Sequence, residues 1–158
     1  MSLRIPTDFD HELAARRVRE GFHGQAFMGF IGAILEHVGP GECVISVPFA
    51  DGLTQQHGLF HGGVTATLAD NAAGFASFSL MSPDEQPLSV EFKINLLDKA
   101  LGERLIARGR VIRNGRRLKH AAADVFAVTN GTERLVASAL ATISSTRSVP
   151  EPSLGDEE

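Results

Sequence analysis

The sequence predicts an α+β domain in which an antiparallel sheet of about six strands curls around one long central helix. Residues 61–80, HGGVTATLADNAAGFASFSL, are apolar on almost every side of a helix, which is typical of a helix buried in a core. Segments with strand character precede this helix and follow Ser82-Pro83. A sheet with one apolar face and a single apolar helix bury each other's surfaces, which favours this class of fold.

Length and composition indicate one ordinary globular domain. The chain has 158 residues, 43% of them hydrophobic and 22% charged, with a formal net charge of −4. This acidic balance gives no reason to expect nucleic acid as a partner. Cys43 is the lone cysteine, which excludes an internal disulfide and fits a reducing cytoplasm. The first residues, MSLRIPTDFDHEL, lack a signal-peptide core, and Asp70 and Asn71 interrupt the longest apolar run, so we expect a cytoplasmic protein without a membrane span.

The N-terminal part of the chain predicts two helices. Residues 8–20 have an amphipathic pattern that Thr7 or Asp8 can cap and that Gly21 can end. Residues 22–34 are rich in Phe, Met and Gly and predict a short helix that leads into a strand.

Turn signals organise the strands. The apolar runs within residues 33–49 flank Gly39-Pro40-Gly41 and predict a hairpin, and a polar loop over residues 50–60 leads to the central helix. Asn114-Gly115 is a strong signal for a second hairpin. Four strands are predicted after the helix, at residues 87–97, 103–113, 117–129 and 134–144.

These elements divide the chain into three parts. Residues 1–27 form an N-terminal helical extension and residues 28–145 form the domain itself. Residues 146–158 are rich in acids and contain two prolines, which predicts a disordered acidic tail.

Asp70 does not suit the interior of an apolar helix. Leu68 and Ala69 flank it, and a buried carboxylate must find donors, become neutral or serve a purpose that offsets its desolvation. It lies about two and a half turns after His61, so it cannot cap its own helix. Taken alone, the residue has two interpretations: an acid held by backbone amides or by a lysine from another element, or a catalytic acid.

Gly62 and Gly63 favour the catalytic interpretation. The first amides of a helix lack intrahelical acceptors, and glycines let a ligand oxygen approach them closely. Amides for an oxyanion and a carboxylate as base or nucleophile are the parts of an acyl-transfer site. The distance along the helix separates Asp70 from these glycines within one chain, but two antiparallel copies could bring them together.

The motif HGGVTATLAD and the order of elements resemble the hotdog fold, and more narrowly the PaaI-type thioesterase family. The resemblance rests on HGG at residues 61–63, Leu68-Ala69-Asp70, and Ser-Val-Glu-Phe at residues 89–92. It covers roughly residues 28–144. It implies hydrolysis of an acyl-CoA by a dimer, or a dimer of dimers, with no cofactor beyond the coenzyme A of the substrate.

The resemblance also assigns roles to individual residues. Asp70 would activate water or attack the thioester carbon, and the amide of Gly62 or Gly63, with Gly62 favoured, would polarise the carbonyl. His61 would hold the loop, Gln55 would contact the same carbonyl oxygen, and Ser89 would position the water. In the family, the acid and the helix start come from different subunits.

Two positions depart from the family pattern. Some members carry Ser or Thr one turn after the acid, where this chain has Gly74, so Ser77 or Ser89 is the expected substitute. Many members have Arg-Pro where this chain has Asp98-Lys99, which removes one coenzyme contact.

Basic residues crowd the hairpin around Asn114-Gly115, and guanidinium and ammonium groups bind phosphate well. We expect Arg116, Arg117 and Lys119 to contact coenzyme A phosphates, although a solvated hairpin explains any one of them equally well. The acyl group would meet Phe60 and Ser77.

Other functions remain as alternatives. His57 and His61 could form a metal pair with Asp70, but Gly58 lies between them in a loop, so no metal site is expected. A non-catalytic acyl-ligand binding protein is the second hypothesis, and it leaves the cost of a buried Asp70 unexplained.

Overall fold

A computed structural model describes residues 9–147 of the chain, together with Leu3 and Ile5. The described helices are α1 (His11–His23), α2 (Ala26–Phe30) and α3 (Gly62–Phe78). The described strands are β1 (Ile34–Gly39), β2 (Glu42–Pro48), β3 (Glu85–Leu96), β4 (Arg104–Asn114), β5 (Leu118–Thr129) and β6 (Thr132–Arg147). The predicted caps Thr7 and Asp8 lie outside the described residues, as does the predicted acidic tail beyond Arg147.

The described strands form one antiparallel sheet of six in the spatial order β1-β2-β4-β5-β6-β3. Tight turns join β1 to β2, β4 to β5 and β5 to β6, whereas α3 connects β2 to β3 at the opposite edge of the sheet. The prediction of an α+β fold with a six-stranded antiparallel sheet and one long helix is confirmed.

Helix α1 differs from its prediction at both ends. It begins at His11 because the Asp10 carboxylate accepts hydrogen bonds from the amides of Glu12 and Leu13 at 3.0 and 2.9 Å. It then passes through Gly21, which we expected to end it, and continues to His23. A side chain at Gly21 would touch the rings of two α3 phenylalanines, Phe75 and Phe78, so this glycine allows α1 to pack closely on α3.

The helix α3 lies close to the sheet because small residues line both surfaces. A Cβ atom at Gly109 in β4 would lie 2.1 Å from the carbonyl oxygen of Ala72, so only glycine fits there. The remaining buried alanines of this interface are Ala69, Ala73 and Ala76 in α3 and Ala107, Ala121, Ala123, Ala139 and Ala141 in the strands.

Strand β3 forms an edge of the sheet and has a bulge at Val90. Its residues Phe92, Ile94 and Leu96 pair with buried alanines of β6, so these three side chains are on the same face of the sheet as α3. Large apolar side chains nevertheless remain exposed along this strand, with Leu88 60%, Val90 57%, Phe92 40% and Leu96 61% accessible.

Lys119 is buried on the inner face of β5. Only 3% of the residue is accessible, and its ammonium group donates to the Ser145 hydroxyl over 2.7 Å. Alternate residues of a strand point to the same face of the sheet, so Lys119 points inward with Ala121 and Ala123. It therefore does not lie on the exposed basic surface of the hairpin. Burial lowers the pKa of Lys119, and the charge of Glu85 only partly offsets this effect.

We expect Gly109→Ala to lower the free energy of unfolding by about 3 kcal/mol, because the clash is with helix backbone rather than with a flexible side chain. The matched control is Gly29→Ala in α2, where a Cβ atom meets nothing within 4 Å. The Gly29→Ala variant should have a free energy of unfolding equal to that of the parent or higher by up to about 1 kcal/mol. Urea denaturation of both variants measures the difference, and equal stabilities would contradict the close approach.

We expect Lys119→Met to raise the free energy of unfolding by about 1 kcal/mol at neutral pH, because it removes a buried charge that lacks a bonded carboxylate. The pKa of Lys119 is lower in the folded protein than in the unfolded chain, so the folded parent binds fewer protons. The free energy of unfolding of the parent therefore rises as pH rises towards 10.5. The advantage of the variant should therefore shrink over that range. Thermal melting between neutral and alkaline pH tests this, with Lys99→Met as the exposed control; a constant difference would refute it.

Candidate active site

The start of α3 presents one free backbone donor. His61 is the N-cap, and its Nδ1 accepts a hydrogen bond from the amide of Gly63 over 2.9 Å, which requires Nδ1 to be unprotonated. The amide of Gly62 has no acceptor among the described residues. Gly62, rather than Gly63, is therefore available for a developing oxyanion.

Neither glycine has a positive φ, so the space around them, and not the backbone conformation, is what a side chain here would disturb. A Cβ atom at Gly63 would lie 2.9 Å from His61 Nδ1 and would displace the capping ring. A Cβ atom at Gly62 would lie 3.1 Å from Leu96 Cδ1, so the helix start packs against the end of β3.

Gln55 lies in the loop that precedes α3. Its Oε1 accepts from the amide of His57, and its own backbone N–H donates to Leu59 over 2.8 Å. The amide of His61 in turn donates to the Leu53 carbonyl over 2.8 Å, which ties the loop to the helix start. The NH₂ group of Gln55 remains available as a donor.

Asp70 lies on the wall of an open pocket. Its Oδ1 accepts a hydrogen bond from the Ser89 hydroxyl over 2.8 Å. The sequence predicts a fully buried carboxylate here, but the Asp70 side chain is only half-buried. The reason is that its face of α3 lies beside β3, where the sheet ends. The pocket has a volume of about 130 Å³ and is lined by Gln25, Asp70, Asn71, Gly74, Phe75, Pro87 and Ser89.

The site residues thus fall into two groups within one chain. Asp70 and Ser89 are together in the pocket, whereas His61 and Gly62 are at the helix start, and Gln55 is in the loop that the Thr54–Phe60 bridge closes just before it. At about 1.5 Å per residue, α3 separates Gly62 from Asp70 by about 12 Å along its axis. One chain therefore does not bring the carboxylate and the free amide to the same atom.

Three expected substrate contacts lie elsewhere. The hydroxyl of Ser77 is buried and donates to the Ala73 carbonyl over 2.9 Å, so it does not reach the pocket. Phe60 is 3% exposed and packs edge-to-face on Phe49 at 5.4 Å between centroids. Lys119 is buried beneath the hairpin whose exposed surface carries Arg116 and Arg117.

Acids from neighbouring strands neutralise part of the basic cluster. Arg108 makes two 2.7 Å hydrogen bonds to Glu133, which raise the pKa of Arg108 and lower that of Glu133. Arg110 pairs with Asp124 at 2.9 Å. Arg116 and Arg117 form no ion pair with an acid of the described residues.

Gln25 and Asn71 are pocket residues that sequence reasoning missed. Asn71 follows Asp70 directly, so the helical pattern offered a signal for it. Gln25 comes from the junction of α1 and α2, and nothing in its local sequence indicates that it approaches Asp70.

Residues 9–147 offer neither a cluster of metal ligands nor a helix that could span a membrane. No group of three or more His, Cys, Asp or Glu side chains there could hold a metal ion. None of the helices in that part of the chain combines the length and apolar character needed to cross a membrane.

Comparisons with known proteins identify relatives at both the sequence and the structural level. A crystal structure of a thioesterase family protein from Silicibacter pomeroyi superposes with a TM-score of 0.84 and 39% identity, covering 85% of this chain and 99% of that one. The PaaI protein of Escherichia coli shares the fold, with a TM-score of 0.76 and 18% identity over 86% of this chain and 95% of that one.

A 1,4-dihydroxy-2-naphthoyl-CoA hydrolase of Listeria monocytogenes is 27% identical over 113 residues, 72% of this chain and 89% of that protein. The sequence profile of the thioesterase superfamily matches residues 57–134, a segment that runs from the loop before α3 into β6. With the helix start, the carboxylate and the sheet all in place, this chain belongs to the thioesterase superfamily and has its hotdog fold.

Proposed function

We propose that the protein is an acyl-CoA thioesterase that hydrolyses a thioester to a free acid and coenzyme A. The observation that carries this proposal is the hydrogen bond from Ser89 to Asp70 in an open pocket. Asp70 belongs to α3, and the first residue of the same helix, Gly62, has a free backbone amide. The name of the Listeria relative, a CoA thioester hydrolase, supports the same reaction type.

The proposed reaction uses water as the nucleophile and needs no metal or other cofactor. Ser89 occupies Oδ1 of Asp70 and holds the carboxylate in one orientation, so Oδ2 is free to accept a proton from water. As the water oxygen bonds to the thioester carbon, negative charge develops on the carbonyl oxygen, where the Gly62 amide and the Gln55 NH₂ group would donate. Collapse of this intermediate breaks the carbon–sulfur bond, and the CoA thiolate takes up the proton.

Because Gly62 and Asp70 of one chain are too far apart, we propose that the site is completed in a homodimer. The exposed apolar side chains of β3 support this, since a long apolar edge strand favours pairing with another strand. Antiparallel pairing of β3 with its own copy would extend the sheet and cover this edge.

Charge favours one register of this pairing over the neighbouring one. Along two antiparallel strands, hydrogen-bonded and non-hydrogen-bonded residue pairs alternate. A two-fold axis between two neighbouring pairs would exchange these unlike types, so the axis must pass through the centre of one pair. In that pair a residue lies opposite its own copy. With Phe92 at the centre, Glu91 would face the partner's Lys93, and the two aromatic rings would meet. With Lys93 at the centre, two ammonium groups would face each other, which is unfavourable.

The register centred on Phe92 would also assemble the site. It sets residues 87–89 of one copy opposite residues 95–97 of the other. Ser89 contacts Asp70, and Leu96 packs against Gly62, so Asp70 would face the free amide of the partner's Gly62. Exposed Arg116 and Arg117 remain our proposed contacts for the phosphates of coenzyme A.

Asp70→Asn should lower kcat by a factor of about 100 or more while the fold is kept, because the amide cannot accept the proton of water. Ser89→Ala is the comparison and should lower kcat less. CoA release from a panel of aromatic and straight-chain acyl-CoAs, measured with a chromogenic disulfide reagent, tests this. Burial raises the pKa of the Cys43 thiol to about 12, so the protein adds little background. Undiminished turnover by Asp70→Asn would refute the assignment, and binding without turnover by the parent would favour an acyl-CoA binding protein.

Glu91→Lys and Lys93→Glu, each alone, should weaken the dimer about 10-fold, because each places like charges opposite one another at two symmetric positions. The double variant restores opposite charges and should recover both dimerisation and activity. Analytical ultracentrifugation over a dilution series measures dissociation beside the hydrolysis assay. Singles that dimerise as the parent does, or a double variant that remains dissociated, would rule out this register.

A further inference from the structure

We propose that Gln25, from the N-terminal segment, holds the attacking water together with Asp70. This inference rests on the proposed thioesterase function. Gln25 lines the same pocket as Asp70 and Ser89, although it lies outside residues 57–134, which carry the family match. The N-terminal segment would then be part of the site rather than an extension beside the domain.

The backbone of Gln25 is held in place while its side chain is free. Its N–H donates to the Phe22 carbonyl over 3.1 Å, and its carbonyl accepts from Gly29 over 3.2 Å. Gln25 occupies the N-cap position of α2, but its side chain makes no capping hydrogen bond there. The carboxamide also has no other hydrogen-bond partner among the described residues, so it can serve a ligand without any loss to the fold.

A water molecule bound by one carboxylate oxygen can still rotate. It is oriented for attack when its second hydrogen also has an acceptor, because its lone pair can then point at the thioester carbon. The Oε1 atom of Gln25 is such an acceptor at the pocket wall. Asp70 would remove one proton of the water, and Gln25 would hold the other hydrogen without taking it.

The other polar side chains nearby already have a bonded partner, and the Asn71 and Ser89 oxygens are the acceptors that compete with Gln25 for the water. The Ser89 hydroxyl donates to Asp70, and the Asn71 NH₂ group donates to the Thr67 carbonyl of its own helix over 3.0 Å. Ser77 is buried and bonded to Ala73. Gly74, one turn after Asp70, has no side chain at all.

Gly74 leaves room for a water-holding group from another element. A Cβ atom built there meets nothing within 4 Å, and its φ is not positive, so neither packing nor backbone strain demands glycine. The space over Gly74 opens into the pocket that Gln25 borders. A serine at this position would fit, and its hydroxyl would face the same water from the helix side.

The test is loss and rescue in the full-length chain. Gln25→Ala should lower kcat about 10-fold to 100-fold with KM within about two-fold of the parent, since the residue orients water rather than binding substrate. Adding Gly74→Ser to Gln25→Ala should recover most of the lost kcat. The matched control adds Gly74→Ala instead, which supplies the Cβ atom without the hydroxyl and should recover nothing.

Each outcome decides the proposal. An unchanged kcat in Gln25→Ala, or equal rescue by alanine and serine at position 74, would overturn it. A loss in Asn71→Ala with none in Gln25→Ala would assign the water to Asn71 and would also overturn it. Melting temperatures confirm that all variants are folded. Parent turnover and its loss in Asp70→Asn are measured in the same assay, so failure of the Gln25 proposal is distinguishable from failure of the thioesterase proposal.

Discussion

The close approach of the α3 backbone to Gly109 is the constraint on which the rest of the structure depends. The carbonyl of Ala72 lies where any side chain at position 109 would be, and alanines on both surfaces allow this short separation. Two side chains of β3 can then contact the helix: Ser89 donates to Asp70, and Leu96 packs beside Gly62. A helix raised on larger residues would lose both contacts, and with them the two halves of the site.

The same helix supplies two chemically different groups because its positions differ in kind. Its first amides lack acceptors, and the His61 cap occupies the Gly63 amide and leaves that of Gly62 free. Its middle carries the carboxylate on the face beside an edge strand, where the pocket opens to solvent. The rise of the helix keeps these groups apart in one chain. In the proposed dimer, two-fold pairing of β3 with its own copy would bring Asp70 of each chain to the helix start of the other. Each chain would then contribute its carboxylate to one site and its free amide to the second.

Most elements could be predicted because their signals are local. The apolar run of residues 61–80, the glycine–proline turn after β1 and the Asn-Gly turn after β4 each depend on neighbours in sequence. The cap of α1 was misplaced because several acids and a threonine stand close together there, and only Asp10 reaches the Glu12 and Leu13 amides. Lys119 was assigned to the surface from its basic neighbours, although its alternation with Ala121 and Ala123 already indicated the inner face.

The sequence by itself determined the class of fold, the helix start with its two glycines, and the position of Asp70 about two and a half turns after His61. These could be predicted because spacing along one helix is set by its geometry. Only the tertiary structure decided that Asp70 is half-buried beside Ser89, that the Ser77 hydroxyl is turned inward, and that Gln25 borders the pocket. The physical reason is that these facts concern which surfaces of separate elements meet, and that depends on how closely side chains allow the elements to pack.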